Sequence, residues 1–206
     1  MKKGCFISFE GMDGAGKSTQ IKKLKLYLEN EGFEVLLTRE PGGTPIGEKL
    51  RDIILSPNNS EMTALTEVLL YAASRAQHVE EVIKPAVSEG KIVICDRFVD
   101  SSIAYQGYGR ELLEAVKDIN GYAVCGKMPD ITFLMKISPN AGIERIGRRA
   151  KDRIEMEEES FRRRVYLGYE NLARLYPERV VEIDASKTID EIFGEIVKSI
   201  DKVLEA

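Results

Sequence analysis

The densest phosphate chemistry in the sequence lies in Gly11-Met12-Asp13-Gly14-Ala15-Gly16-Lys17-Ser18, followed by Thr19. The run satisfies G-x-x-x-x-G-K-[ST], whose glycines let the backbone wrap a phosphate and turn its N–H groups inward. Lys17 supplies a mobile charge for β- and γ-phosphates, and the Ser18 hydroxyl suits a Mg²⁺ ion. A helix starting here adds the positive end of its dipole. Gly11 to Thr19 is therefore read as an ATP-binding loop, which names a nucleotide but not a reaction.

A second pair, Asp96-Arg97, follows the apolar run Lys91–Cys95. The carboxyl ends of parallel strands face the ligand crevice, so this pair is expected beside the loop. Asp96 is placed to hold Mg²⁺ or its water shell, and Arg97 to grip an anionic acceptor. From Glu144 to Arg164 the chain is dense in charge of both signs. There Arg145, Arg149 and Arg153 recur at i, i+4 and i+8, one face of a helix. Phosphoryl transfer needs mobile cations over the γ-phosphate, so Arg149 and Arg153 join Lys17, Asp96 and Arg97 as candidate catalytic groups. An acceptor that is already an anionic phosphate oxygen needs no general base, which leaves positioning and charge neutralisation. The one histidine, His78, is read as structural.

The elements that must hold these groups follow from the apolar runs. Strands are expected at Gly4–Glu10, Phe33–Thr38, Lys91–Cys95, Ile131–Lys136 and Arg179–Ile183, several of them nearly continuous apolar runs, as parallel strands covered on both faces require. Helical stretches lie between them: Ile21, Leu24 and Leu28 share a face, as do Ile46, Leu50 and Ile53. Thr44-Pro45 and Ser138-Pro139 each place a cap before a proline. Thr188 and Glu191 have capping-box spacing, and Pro85 is expected to kink or end the helix beginning near Thr63. The fold class is α/β: a P-loop NTPase-type three-layer fold with a central five-stranded parallel sheet, read as one domain over residues 1–206.

The bulk properties agree. A chain of 206 residues suits one sizeable core, and a net charge of −4 suggests no dedicated nucleic-acid or membrane surface. Three cysteines, Cys5, Cys95 and Cys125, are too few and too scattered for a disulfide framework or a zinc site, and a reducing cytoplasm is the expected home. There is no Asn-Lys-x-Asp guanine-reading motif, which argues against a GTPase.

Four ordered motifs carry a resemblance. Phe9-Glu10-Gly11 leads the phosphate loop; Thr38-Arg39-Glu40-Pro41-Gly42-Gly43-Thr44 forms a turn; Asp96-Arg97-Phe98 runs on to Ala104-Tyr105-Gln106-Gly107; and Asp152-Arg153-Ile154-Glu155 follows. Together they resemble the thymidylate kinase family. The resemblance implies transfer of the γ-phosphate of ATP to dTMP with Mg²⁺, a mobile lid at about 142–158, and a homodimer. It assigns Arg39 and Arg97 to the dTMP phosphate, Tyr71 to the face of the base and Arg75 to a base carbonyl. It puts Tyr105 against the sugar 2′ position, Asp13 at the sugar, and Ser101 and Gln106 near base and sugar. It also compensates for the small Gly14 and Ala15 with lid arginines, here Arg148, Arg149 and Arg153. Asp184-Ala185-Ser186-Lys187 is where this fold would line the adenine. Ile53, Ile54 and Leu55 suit either an interface or the core. The alternatives are a kinase of another monophosphate such as dUMP, a deoxynucleoside kinase, and a nucleotide-binding switch without turnover.

Overall fold

A computed structural model describes residues 3–146 and 152–205. Five strands, β1 (Cys5–Glu10), β2 (Val35–Arg39), β3 (Ile92–Asp96), β4 (Ile131–Lys136) and β5 (Val180–Asp184), form one sheet in the order β2-β3-β1-β4-β5. Every neighbouring pair is parallel. The helices are α1 (Lys17–Asn30), α2 (Pro45–Leu55), α3 (Ala64–His78), α4 (Lys84–Ser88), α5 (Val99–Ser102), α6 (Leu113–Ala123), α7 (Pro139–Ile146), α8 (Glu159–Leu175) and α9 (Ile189–Leu204). None of the described helices is long and apolar enough to cross a membrane.

Central β1 is buried along its whole length, so both of its faces need apolar cover. Cys5, Ile7 and Phe9 face Leu24 and Leu28 of α1 and Ile192, Ile196 and Ile200 of α9. The opposite face divides. Phe6 and Val93 pack with Val79, Ile83 and Phe98, whereas Leu134 and Val180 pack with Phe161, Val165, Tyr169 and Leu172 of α8. The polar pair in this interior is satisfied: Ser8 Oγ and Thr132 Oγ1 lie 2.9 Å apart, and Arg179 donates to both Thr132 and Asp100.

Three strands run one residue further than their apolar patterns. Arg39 pairs with Asp96 and Lys136 with Asp184, so the ladder continues into the polar residues that open onto the crevice. The caps are as expected: Gly47 N donates to Thr44 Oγ1, Ala141 N to Ser138 Oγ, and Thr188 and Glu191 form a capping box.

Two expectations are borne out only in part: the shared face of α2 is present, and of a kink or an end at Pro85 the end is excluded. Ile46 and Ile53 do share a face of α2, but it is the outer one, at 52% and 46% exposure; the core side is Gly47 and Ile54. Pro85 does not end its helix. A π turn at Val79–Ile83 joins α3 to α4, with Pro85 in the first turn of α4 where a missing N–H is tolerated.

Candidate active site

The phosphate loop leaves β1 and enters α1 through residues that only glycine permits. Gly11 and Gly14 have φ of 126° and 81°, and a Cβ on them would lie 2.4 Å from Met135 O and 2.2 Å from Gly142 O. The N-cap of α1 is Gly16, which offers no side chain to cap it, and Thr19 N turns back to Gly16 O at 3.2 Å; the helix start suits a phosphate at its earlier N–H groups. Lys17 is buried, its Nζ donating to Gly11 O at 2.9 Å and Met12 O at 3.2 Å. Burial, and next the charge of Arg97, lowers its pKa to about 8.

That shift gives a sign for the pH dependence of nucleotide binding. Above about pH 8 the free protein loses the Lys17 charge, while a bound polyphosphate restores it, so binding takes up a proton. ATP affinity is expected to weaken by up to about tenfold per unit above pH 8. Calorimetric titration from pH 7 to 9.5 measures it, and an affinity flat across that range would contradict it.

Beside the loop, Ser18 Oγ donates to Asp96 Oδ2 at a long 3.5 Å, while Asp96 Oδ1 is buried with no hydrogen-bond partner among the described residues. An orphaned carboxylate oxygen beside a hydroxyl is a donor set that a hard, oxygen-seeking cation such as Mg²⁺ satisfies.

Arg97 has φ of 70°, a left-handed conformation that a long side chain rarely adopts. Its N–H donates to Phe9 O at 2.9 Å, which ties the turn to β1. The guanidinium donates to Gly11 O, Ser101 Oγ, Tyr169 OH and Asp13 Oδ1, all within 3.1 Å, and lies 5.3 Å from the centre of the Tyr105 ring. Beneath it Glu10, fully buried, accepts from Phe98 N, Ser101 Oγ and Tyr169 OH. Burial, and next the charge of Asp100, raises the Glu10 pKa to about 7 against the pull of Ser101 and Arg97.

The opposite wall comes from β2, its following turn and α3. Arg39 is half exposed and paired with Glu48 at 2.8 Å. Arg75 is 1% exposed and gives Nε to Glu40, Nη1 to Asn120, and Nη2 to Phe98 O and Ser102 Oγ. Of its five N–H groups at most one is left for a ligand. Glu40 also meets His78 Nδ1 at 3.0 Å, and His78 Nε2 lies 2.6 Å from Thr38 Oγ1, so the histidine braces the turn that carries Arg39. Tyr71 and Tyr105 line the cleft with phenol pKa values raised by burial, and Gln106 is held by its Nε2 on Glu67 at 2.9 Å.

These walls enclose a cleft of about 450 Å³. It brings together Asp13, Gly14, Gly16, Lys17, Ser18, Thr19, Arg39, Tyr71, Arg75, Asp96, Arg97, Ser101, Tyr105 and Gln106. Gly11, Met12 and Ala15 lie behind that surface, all three buried. Arg145 also lines the cleft and donates to Ala185 O at 3.0 Å, which joins α7 to the segment expected at the adenine.

Arg149 and Arg148 lie outside the described residues. Arg153 is a correction. It sits in a turn rather than on a helix shared with Arg145, and its guanidinium is buried away from the cleft, donating to Ile54 O at 2.9 Å and Glu67 Oε2 at 2.7 Å. Its neighbours Asp152, Ile154 and Glu155 are the ones that face the cleft. Breaking a buried ion pair costs about 3–5 kcal/mol, less here because Arg110 also holds Glu67. Arg153→Ala is therefore expected to lower stability by about 2–3 kcal/mol, with a smaller loss in turnover. Denaturant melts beside turnover would test this; unchanged stability with turnover lost a thousandfold would restore Arg153 to the phosphate site.

A parallel sheet in this order, with a phosphate loop after β1 and arginines across one cleft, defines a P-loop phosphotransferase. The family model described as thymidylate kinase matches residues 9–196. The chain is 50% identical to the thymidylate kinase of Lactobacillus helveticus, covering 98% of both chains. It is also 50% identical to that of Thermoanaerobacter pseudethanolicus, covering 98% of this chain and all of the relative. The crystal structure of thymidylate kinase from Ehrlichia chaffeensis superposes with a TM-score of 0.79 at 34% identity, covering 96% of this chain and 98% of that one. The chain belongs to the thymidylate kinase family.

Two groups at Arg97 were given no role by the sequence, although Glu10 stands in the Phe9-Glu10-Gly11 motif. Glu10 carried one signal, an acid ending an otherwise apolar strand at the phosphate loop. Tyr169 carried none, since only the packing of α8 brings it to Arg97.

Proposed function

We propose that this chain transfers the γ-phosphoryl group of ATP to dTMP, giving ADP and dTDP, with Mg²⁺ as the partner ion. The observation that supports it best is a single cleft with Lys17, Ser18 and Asp96 toward the P-loop and Arg39, Arg97, Tyr71 and Gln106 on the acceptor side. The loop N–H groups and Lys17 hold the β- and γ-phosphates, while the guanidinium forks of Arg97 and Arg39 take the tetrahedral phosphate of the acceptor. Tyr71 offers its face to the thymine ring and Arg75 its remaining N–H to a base carbonyl. Tyr105 fills the space beside the sugar 2′ carbon, and Asp13, Ser101 and Gln106 complete the sugar and base contacts.

A phosphate oxygen of dTMP attacks the γ-phosphorus. The bond to the β–γ bridging oxygen breaks, and its electron pair leaves on ADP. No proton need move, so the protein's part is alignment and charge neutralisation by Lys17, Arg97 and an arginine of the lid, for which Arg149 is our candidate. Ser18 and Asp96 would hold Mg²⁺, which when bound neutralises charge on the β- and γ-phosphate oxygens. The whole chain is read as one kinase domain with its lid at about 142–158. Cys5 and Cys95 are buried thiols, with Cys5 pushed up to about 12, which suits a reducing cytoplasm.

A competition assay tests the acceptor: ADP formation from Mg-ATP with dTMP, dUMP, dCMP, dGMP, UMP and thymidine. Leadership of dTMP in kcat/KM is the expected result. If thymidine leads and the monophosphates are inert, Arg39 and Arg97 have been misassigned and the chain is a nucleoside kinase.

A homodimer belongs to the same reading. Neighbouring helices α2 and α3 expose Ile46, Ile53, Leu65 and Leu69 at 46–52%, an apolar surface that a second copy would cover. Ile53→Asp with Leu69→Asp should turn a dimer into a monomer in sedimentation velocity. A monomeric wild-type chain would contradict the assignment.

A further inference from the structure

We propose that Glu10 is the positioning residue for Arg97, setting the direction of its guanidinium through the Ser101 and Tyr169 hydroxyls that lie between them. The proposal rests on the reading of Arg97 as a holder of the acceptor phosphate. A guanidinium only donates, so Ser101 Oγ at 3.1 Å and Tyr169 OH at 3.0 Å, which share the Arg97 Nη1 hydrogen not taken by Gly11 O, must both turn a lone pair toward it. Each hydroxyl then has one proton to place elsewhere. Glu10 Oε2 lies 2.5 Å from Ser101 Oγ and 3.2 Å from Tyr169 OH, and an ionised carboxylate only accepts. It draws both protons away from the arginine.

A protonated or amide side chain in the same place would bring a donor of its own. The two hydroxyls lie 2.9 Å apart, so one can pass its proton to the other. With an amide nitrogen there, which accepts nothing, the cluster would hold one more proton than it has acceptors pointing away from Arg97, and one hydroxyl would have to face the guanidinium with its hydrogen; a protonated carboxyl keeps a lone pair for one hydroxyl and loosens the arrangement instead. The other oxygen of Glu10 acts on the backbone. It accepts from Phe98 N at 2.7 Å, next to the left-handed Arg97. One carboxylate thus fixes both the turn and the side-chain direction of the same residue, yet it does not line the cleft.

The charged and titratable groups around Glu10 come from several elements. Arg97 lies above it, and Lys17 of α1, Cys95 of β3, Tyr105 after α5 and Tyr169 of α8 all feel its charge. Asp100 of α5 opposes its ionisation, while Arg179 holds Asp100 in a bidentate pair at 2.6 and 2.7 Å. Because burial raises Glu10 from 4.5 to about 7, the stability present below the lower value is lost as pH rises through the higher one. At pH 8 the ionised carboxylate is therefore a cost to the fold, and a neutral isostere removes it.

The test measures KM for dTMP and for ATP, with melting temperature, in wild type, Glu10→Gln, Tyr169→Phe and the double variant from pH 6 to 9. Glu10→Gln should raise KM for dTMP about tenfold or more at pH 8, leave KM for ATP within about threefold, and not lower the melting temperature. The rise in KM for dTMP from pH 8 to pH 6 should be smaller in the variant, which has no carboxylate to protonate. Tyr169→Phe should act in the same direction, and by less when added to Glu10→Gln than alone. A Glu10→Gln protein with the wild-type KM for dTMP, or the wild-type pH dependence, overturns this proposal alone. Should that variant not fold, Tyr169→Phe decides, and an unchanged KM for dTMP overturns it. A wild-type protein that turns over no dTMP overturns the acceptor assignment and this proposal with it.

Discussion

Lys17→Ala is expected to lower kcat/KM about a thousandfold or more while the protein stays folded. Lys17 Nζ rests on Gly11 O and Met12 O, where the polyphosphate would take their place. Removing one preorganised charge from a water-poor site costs about 10²–10³ in rate, and a P-loop lysine acts on both the bound and the transferring phosphate. A thousandfold loss corresponds to about 4 kcal/mol of transition-state stabilisation. The fold should survive because burial holds the lysine pKa down to about 8, which marks its charge as a cost to the empty protein rather than a support. Turnover within tenfold of wild type, with an unchanged melt, would show that the loop does not bind the transferred phosphate.

Arg97→Lys is expected to cost about a hundredfold in kcat/KM, with much of the loss in KM for dTMP. The guanidinium meets four acceptors at once, Gly11 O, Ser101 Oγ, Tyr169 OH and Asp13 Oδ1, and no ammonium can reproduce that fork. The backbone makes the position harder to replace. A non-glycine residue at φ 70° carries a cost of about 1–3 kcal/mol, and Arg97 is kept there by bonds from its own N–H to Phe9 O and from Phe98 N to Glu10. Steady-state kinetics at saturating ATP measure the effect. A lysine variant with the wild-type KM for dTMP would mean that charge alone matters and that the fork does not bind the acceptor.

Both predictions concern residues visible in the sequence, because a glycine loop and a strand-end Asp-Arg pair are local patterns. The sheet was legible for the same reason. Apolar runs give buried parallel strands wherever helices cover both faces, and the observed ends moved by only a residue where the ladder continues into Arg39, Asp96 and Asp184. Facing was less legible than existence. The apolar face of Ile46, Leu50 and Ile53 has the period of a core helix, and the period does not say whether the sheet or another surface covers it.

Long-range pairing was not legible at all. Tyr169 reaches Glu10 across 159 positions, and Glu67 reaches Arg153 across 86. The spacing of Arg145, Arg149 and Arg153 supported a shared catalytic face only if one helix carried them, whereas Arg153 lies in a turn and its charge is consumed by a buried carboxylate. A sequence shows which charges exist; the pairing of elements decides which remain available to a ligand.

The most direct test of phosphoryl transfer is the ³¹P spectrum of dTMP and Mg-ATP incubated with the protein. The account predicts that the dTMP and γ-ATP signals fall together as those of dTDP and ADP rise in equal amounts, with no inorganic phosphate. Loss of γ-ATP to inorganic phosphate while dTMP persists would make the chain a hydrolase of its nucleotide and contradict the account.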